Sequence, residues 1–206
     1  MALHPRWARA LTHIAQPFRA AYDRGDVPAR IEHGSPLSLC WRRDIYTEGD
    51  FLDLLPRFFE GMAHETVHPY RFIAVRGCEE LLVAARARAL PVLPLLVPHL
   101  RHALVSRDRG VVATALLMLQ CLVNTVPGAG PALVPHFPRL LPPLRLLSAR
   151  LPARARDGHD YGQRLRGPRN LAALVDETLQ VLHRTGGPHA SAHIVRVVPT
   201  FQSVAG

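Results

Sequence analysis

The chain has 206 residues, of which 48% are hydrophobic and 20% charged, and its formal net charge is +9. This length supports one domain with a sizeable core, and this composition excludes a chain that is disordered throughout. Every basic side chain other than histidine is arginine, because the sequence contains no lysine. Arginine forms bidentate pairs with carboxylates and phosphates, so a surface of this kind favours an acidic partner.

The sequence shows no sign of a targeting segment or a membrane span. The most apolar stretches, Leu90–Leu100 and Val111–Val123, are too short or too interrupted to cross a bilayer. Residues 1–15 lack the continuous apolar core of a signal peptide. We therefore expect a cytosolic protein without a membrane partner.

The cysteines are Cys40, Cys78 and Cys121. They are odd in number, far apart and include no CxxC pair, which indicates neither a disulfide framework nor a cysteine-rich zinc site. Cys121 lies in an apolar run and is expected to be a small buried hydrophobic residue.

The N-terminal quarter is the least regular part of the sequence. Residues 1–17 are predicted to be a short arm, and residues 18–49 an extended segment with a possible hairpin. The hairpin prediction rests on two short stretches, Ala29–His33 and Leu37–Asp44, that flank the turn residues Gly34-Ser35-Pro36.

From Asp50, the expected N-cap, apolar residues recur at spacings of three and four, which predicts an amphipathic helix. Its apolar face comprises Phe51, Leu54, Leu55, Phe58, Phe59 and Met62. We expect Pro69 to end this unit. Further helices are predicted over Phe72–Ala87, Pro91–Val105, Gly110–Val126, Pro131–Leu147, Asn170–Arg184 and Ala190–Val198.

Two proline-rich segments, LPVLPLLVPHL and ALVPHFPRLLPPL, resemble each other and lie about 40 residues apart, a period typical of HEAT or armadillo repeats. Pro91 and Pro94 are expected in the first turn of a helix, Pro98 deeper, and three further prolines repeat this arrangement. These are Pro131, Pro135 and Pro138. Such units bury their apolar faces only by stacking. We therefore predict an all-α fold, an α-solenoid of armadillo- or HEAT-like repeats over residues 50–206 behind the short irregular or hairpin N-terminal segment. The predicted core contains Leu93, Leu96, Leu116, Leu119, Leu122, Leu174 and Leu179.

A basic loop is predicted over residues 148–169. From Arg139 to Arg169 the sequence has eight arginines against two aspartates, so +6 of the net charge of +9 falls in this window. Long loops in compact domains are usually functional or disordered. A solvated linker remains an alternative, but we prefer a partner-binding loop with an aromatic anchor. Its candidate partner-binding residues are Arg150, Arg154, Arg156, Tyr161, Arg164 and Arg166.

One enzyme motif is present literally: His64-Glu65-Thr66-Val67-His68 matches HExxH, which on a helix can bind zinc. Pro69 follows directly, and a residue before proline is pushed out of the α region, so the imidazoles would not share a face. Gly128-Ala129-Gly130 lacks the Gly-Lys-Ser of a phosphate loop, and no GxSxG elbow is present. We predict no metal, no cofactor and no catalytic residue, and hence a protein that is not an enzyme.

An ordered series of short motifs carries a family resemblance. They include Phe18-Arg19-x-x-Tyr22-x-Arg24-Gly25-Asp26-x-Pro28, Leu55-Pro56-x-Phe58-Phe59-x-Gly61, Pro69-Tyr70-x-Phe72-x-Ala74-x-x-Gly77, Asp157-Gly158-x-Asp160-Tyr161 and Val197-Val198-Pro199-Thr200-Phe201. In this order they resemble the parkin co-regulated protein family, and the resemblance extends roughly from Phe18 to Ser203.

The resemblance implies an armadillo- or HEAT-type solenoid in the axoneme of cilia or flagella, and so a cytoskeletal location. It implies a place at the inner junction, where the B-tubule closes on the A-tubule of doublet microtubules. The implied partners are tubulin in the doublet wall, a small β-rich inner-junction protein and other microtubule inner proteins.

Two other functions stay open at this stage. A soluble adaptor would bind a protein through its solenoid groove and reach the cilium only as cargo. Nucleic-acid binding through the arginines is the weakest alternative, because aromatic residues are only 6% and no RNA- or DNA-binding motif accompanies the charge.

Overall fold

Helices account for most of the computed structural model, which describes residues 17–42, 48–149 and 171–203. The elements in chain order are α1 Phe18–Asp23, β1 Ala29–Glu32, β2 Ser38–Trp41, α2 Glu48–His64, α3 Tyr70–Ala85, α4 Leu93–Leu104, α5 Arg109–Thr125, α6 Ala129–Leu133, α7 Phe137–Ala149, α8 Leu171–Thr185 and α9 Ala190–Val197. Short 3-10 segments, Arg86–Val92 and Val134–His136, precede α4 and α7.

The segment predicted as extended begins with a helix instead, and this part of the prediction was wrong. The side chain of Phe18 is fully buried in the core, and its backbone N–H donates to Glu60 Oε2 of α2 at 2.9 Å. This long-range hydrogen bond satisfies one of the N–H groups that have no intrahelical partner at the start of a helix. The helix α1 is therefore stabilised by tertiary contacts that local sequence does not reveal.

The predicted hairpin is confirmed. Strands β1 and β2 pair antiparallel, with Ala29 opposite Trp41 and Glu32 opposite Ser38. The indole Nε1 of Trp41 donates to Glu80 Oε2 at 2.8 Å, which fixes the hairpin against α3.

The first long helix, α2, begins at Glu48, so Asp50 lies within its first turn and is not the N-cap. It ends at His64, five residues before Pro69, which was expected to end it. The apolar face predicted for this helix is fully or almost fully buried. Helix α3 approaches it closely at Gly77, where a side chain would overlap the ring of Phe58.

The 3-10 segments change the predicted places of several prolines. Pro91 lies in the segment Arg86–Val92, whereas Pro94 does occupy the first turn of α4. The helix predicted over Pro131–Leu147 is divided into α6 and α7 by the second 3-10 segment. Short 3-10 turns accommodate these closely spaced prolines, which lack the N–H that a continuous α-helix requires.

The long helices pack in two rows. In one row α2 contacts α4 and α4 contacts α7; in the other α3 contacts α5 and α5 contacts α8. Consecutive helices also pair across the rows, as α2 with α3, α4 with α5, and α7 with α8. Within the second row, Gln120 of α5 donates to the Thr178 hydroxyl of α8 at 2.9 Å. The short α9 packs on α7 and α8.

The core lies between these rows. All seven leucines predicted to be in it are buried, which confirms that prediction. The expectation for Cys121 was wrong, since it is only partly buried, whereas Cys78 is completely buried.

By length and composition alone, the 35-residue helical stretch Tyr70–Leu104 is apolar enough to cross a membrane. It is not one straight helix, because Arg86 interrupts it with a positive φ of 48°. Many of its apolar side chains, such as Leu81 and Leu96, are fully buried against neighbouring helices. We therefore attribute its hydrophobicity to the protein core.

Candidate partner-binding surface

The predicted basic loop lies almost entirely outside the described residues. This applies to every candidate partner-binding residue in it, namely Arg150, Arg154, Arg156, Tyr161, Arg164 and Arg166. Residues 148 and 149, the first two positions of the predicted loop, belong to the end of α7. The loop therefore stays a prediction, and the candidate surface described here is built from helices.

The solvent-exposed sides of α4 and α7 repeat one pattern. In α4 and the segment before it, the exposed positions include Pro91, Pro94, Pro98 and Arg101. The positions 44 residues later are also exposed: Pro135, Pro138, Pro142 and Arg145. We call these eight residues, with the exposed Arg139, the proline–arginine face.

The buried sides of the two helices repeat as well. Leu93, Leu96 and Leu100 of α4 correspond to Phe137, Leu140 and Leu144 of α7, and all six are buried. Because α4 and α7 are neighbours in one row and bury equivalent positions, their exposed prolines and arginines lie on the same side of the molecule.

The prolines make this face rigid and partly polar. Pro98 and Pro142 lie inside their helices and supply no N–H to the carbonyl four residues earlier. The carbonyl groups of Pro94 and Pro138 therefore lose that intrahelical bond. A partner can use such carbonyls as hydrogen-bond acceptors, and rigid rings lose little conformational entropy when they are covered.

The chain segment that forms the face carries almost no negative charge of its own. From Leu81 to Ala149 the sequence has seven arginines and one acidic residue, Asp108. All seven arginines are exposed: Arg86, Arg88, Arg101, Arg107, Arg109, Arg139 and Arg145.

The carboxylate of Asp108 is engaged as the N-cap of α5. Its Oδ1 accepts from the N–H groups of Gly110 at 2.7 Å and Val111 at 3.1 Å. The ion pairs of Arg24 with Asp26 and of Arg76 with Glu79 and Glu80 lie outside this region, whereas Arg88 and Arg145 within it make contacts of their own. The region therefore presents a positive field to solvent.

The HExxH motif does not form a two-histidine helical site. His64 is the last residue of α2, and His68 lies in the loop that follows, so the two do not share a helical face. The imidazole of His64 instead stacks on His102 of α4 at 4.1 Å between centroids, and His68 lies 6.3 Å from the ring of Phe72. Within the described ranges, no group of three or more His, Cys, Asp or Glu is arranged to hold a metal ion.

A histidine cluster joins the ends of α2 and α4. Burial, with smaller contributions from neighbouring His64 and His102, lowers the pKa of His99 to about 4. Burial also lowers the pKa of His64. Sequence reasoning missed this cluster, because His64 lies more than thirty residues from His99 and His102 and meets them only through helix packing.

A family model described as "Parkin co-regulated protein" matches residues 16–203. The chain belongs to the Parkin co-regulated protein family. A mouse (Mus musculus) relative, "Parkin coregulated gene protein homolog", is 36% identical over 187 residues, which cover 90% of this chain and 76% of the mouse protein. The resemblance inferred from the short motifs is therefore confirmed.

Several motifs that indicate the Parkin co-regulated protein family lie in the core. Phe58 and Phe59 of the second motif are fully buried, and Gly61 packs against Phe18 of the first. Gly77 of the third motif gives α3 room beside Phe58. The family match therefore rests partly on buried residues that shape the fold, and these residues do not identify what the exposed faces bind.

Proposed function

We propose that this chain is a structural, microtubule-associated protein of the ciliary or flagellar axoneme. We place it at the inner junction that joins the B-tubule to the A-tubule, with tubulin, a small β-rich junction protein and other microtubule inner proteins as partners. We further propose that its helix pairs are armadillo- or HEAT-like repeats of a short solenoid. The family resemblance supports this location, and the role proposed is not enzymatic.

The observation that carries the proposal is the proline–arginine face. The tubulin lattice is acidic, so a surface formed by a chain segment with seven exposed arginines and one acid, itself engaged as an N-cap, has complementary charge. Single exposed ion pairs contribute only about 0–1 kcal/mol, so the attraction must come from the sum of several arginines. Such a field is screened within about 8–10 Å at ordinary salt concentrations, which requires close contact.

The test is co-sedimentation of purified protein with microtubules across a salt series. The variant changes Arg101, Arg139 and Arg145 to glutamine together. We expect its affinity to fall by about five- to thirtyfold, the equivalent of about 1–2 kcal/mol, and its salt dependence to flatten.

A matched control removes the same charge elsewhere. Arg30, Arg184 and Arg196 are exposed residues of β1, α8 and α9, distant from the face in sequence. If binding depends specifically on the proline–arginine face, the variant with all three changed to glutamine should bind microtubules with an affinity within about twofold of the parent's. Equal losses in both variants would show a nonspecific charge effect. Failure of the parent to sediment at low salt would refute direct microtubule binding and favour a soluble adaptor.

A further inference from the structure

A groove of about 410 Å³ lies between the start of α3, the loop before it and the start of α5. This volume is within the usual range for ligand-binding clefts. Its lining residues are Thr66, His68, Arg71, Phe72, Val75, Arg76, Glu79 and Thr114. It belongs to the α3–α5–α8 row, whereas the proline–arginine face belongs to the α2–α4–α7 row.

Apolar side chains line the floor of the groove, and a strip of apolar positions continues beyond it, interrupted by the charged Arg76 and Glu79. Phe72 and Val75 are half-buried, and Val83, two turns further along α3 from Val75, is 55% exposed. On α5, Leu117 is one turn beyond Thr114 and 36% exposed. From Phe72 to Val83 the strip extends about 16 Å along the helix. An exposed apolar strip of this length suits a chain segment better than a compact small molecule.

Arg71 supplies positive charge at one end. Its Nη2 donates to the Thr114 hydroxyl at 2.9 Å and its Nη1 to the Glu65 carbonyl at 3.4 Å. Thr114 in turn donates to the Gly110 carbonyl at 2.8 Å, which fixes the orientation of its hydroxyl. These bonds use two of the five N–H donors of the guanidinium, and both acceptors are neutral. Within the described ranges, no carboxylate lies at ion-pair distance from Arg71.

The other end of the groove has the opposite arrangement. Arg76 there is paired with Glu79 at 2.9 Å and Glu80 at 3.3 Å. Because Glu79 also lines the groove, it repels a second negative charge at this end. A ligand with one carboxylate would therefore bind with that group towards Arg71. A doubly charged phosphate group fits less well beside Glu79.

We propose that this groove binds a segment of another protein that presents one carboxylate to Arg71 and apolar side chains to Phe72 and Val75. This goes beyond microtubule attachment, because the groove and the proline–arginine face lie on different helix rows. The groove is thus a second docking site, able to hold a partner while the first face is occupied. Charge complementarity at Arg71 and the adjoining apolar strip select this class of partner.

The experiment measures binding of a fluorescein-labelled pentapeptide, Leu-Leu-Asp-Leu-Leu, amidated at its C-terminus, to the full chain by fluorescence anisotropy. The matched probe has Asn in place of Asp. We expect the Asp peptide to bind about tenfold more tightly, since a hydrogen bond between charged groups is worth more than a neutral one. Arg71→Met should abolish this preference without weakening the Asn peptide.

Two further variants separate binding from folding. Val75→Trp fills the floor of the groove and should weaken the binding of both peptides by about tenfold or more. Thr114→Val removes the hydroxyl that holds Arg71 and should reduce only the preference for the Asp peptide. Thermal melting identifies any variant that has lost its fold. Arg101→Gln, on the other face, should change neither peptide affinity.

Three outcomes would overturn the proposal. They are equal affinities for the Asp and Asn peptides, an Asp preference that survives Arg71→Met in folded protein, and octanoate binding that is tighter than peptide binding. The last would assign the groove to a small apolar carboxylate. Arg71→Met should still co-sediment with microtubules, so the failure of this proposal is distinguishable from failure of the proposed function.

Discussion

Gly77→Ala tests the close contact between α2 and α3. At an open helix position this change would stabilise the protein by about 1 kcal/mol, because alanine has the higher helix propensity. Gly77 is not in an open position. A Cβ there would lie 3.1 Å from Cζ of Phe58 and closer still to Cδ1 and Cε1 of the same ring.

Phe58 has little room to move away. It is fully buried, and its ring lies 5.4 Å from Phe18 and 5.5 Å from Trp41 between centroids. Overpacking of this kind costs about 1–3 kcal/mol and occasionally more. We therefore expect steric overlap to exceed the propensity gain and lower the free energy of unfolding by about 1–2 kcal/mol. For a chain of this size, that corresponds to a melting temperature lower by about 2–8 °C.

The assay is urea unfolding followed by circular dichroism, for Gly77→Ala, Phe58→Leu and the double variant. The smaller leucine should make room for the new methyl group, so the double variant should be more stable than the sum of the single changes predicts, by about 1 kcal/mol. A more stable Gly77→Ala protein, or an equal cost of this change in both backgrounds, would refute the close contact between α2 and α3.

Three further predictions concern stability. Burial raises the pKa of Glu60 to about 7, so its ionisation removes stability as the pH rises from about 4.5 to 7. Glu60→Gln retains an oxygen for the Phe18 N–H and should raise the free energy of unfolding at pH 8 by about 1 kcal/mol. The pKa shift alone corresponds to about 3 kcal/mol, and we expect less because the side chain is only partly buried. An unchanged or lower free energy of unfolding in urea would contradict this. Because the folded state favours neutral His99, this residue stabilises the fold above pH 6.5, and the stabilisation is lost as the pH falls towards about 4. In His99→Gln the melting temperature should therefore fall less steeply over this pH range. Leu119→Ala should cost about 2–5 kcal/mol by leaving a cavity, and a cost under about 1 kcal/mol in urea unfolding would argue against its burial.

Local sequence patterns predicted the main helices and the hairpin well. The three- and four-residue spacing of Phe51, Leu54 and Phe58 reflects burial against one side, and that side does form the core. The turn residues between Glu32 and Ser38 similarly connect two paired strands. These features were predictable because residues close together in sequence determine them.

The features that sequence reasoning missed depend on distant residues. Helix α1 relies on a bond from Phe18 to Glu60, 42 positions away, so its composition alone did not predict a helix. The contact of Arg71 with Thr114 spans 43 positions and arises from the pairing of α3 with α5. The proline repeat was visible in the sequence, but which prolines would be exposed followed only from the packing of α4 and α7.

The predicted basic loop and the proline–arginine face are two candidate contact sites for the same acidic partner. Changing Arg150, Arg154, Arg156, Arg164 and Arg166 together to glutamine tests the loop, and the triple variant of Arg101, Arg139 and Arg145 tests the face. If both contact the microtubule independently, their losses of binding free energy should add in the eight-residue variant to within about 0.5 kcal/mol, with the flattest salt dependence of the series. If only the face binds, the five-residue variant should fold and co-sediment like the parent at every salt concentration, and the loop is then a solvated linker. If only the loop binds, the triple variant should behave like the parent instead, and the repeated prolines and arginines of α4 and α7 would need a different partner.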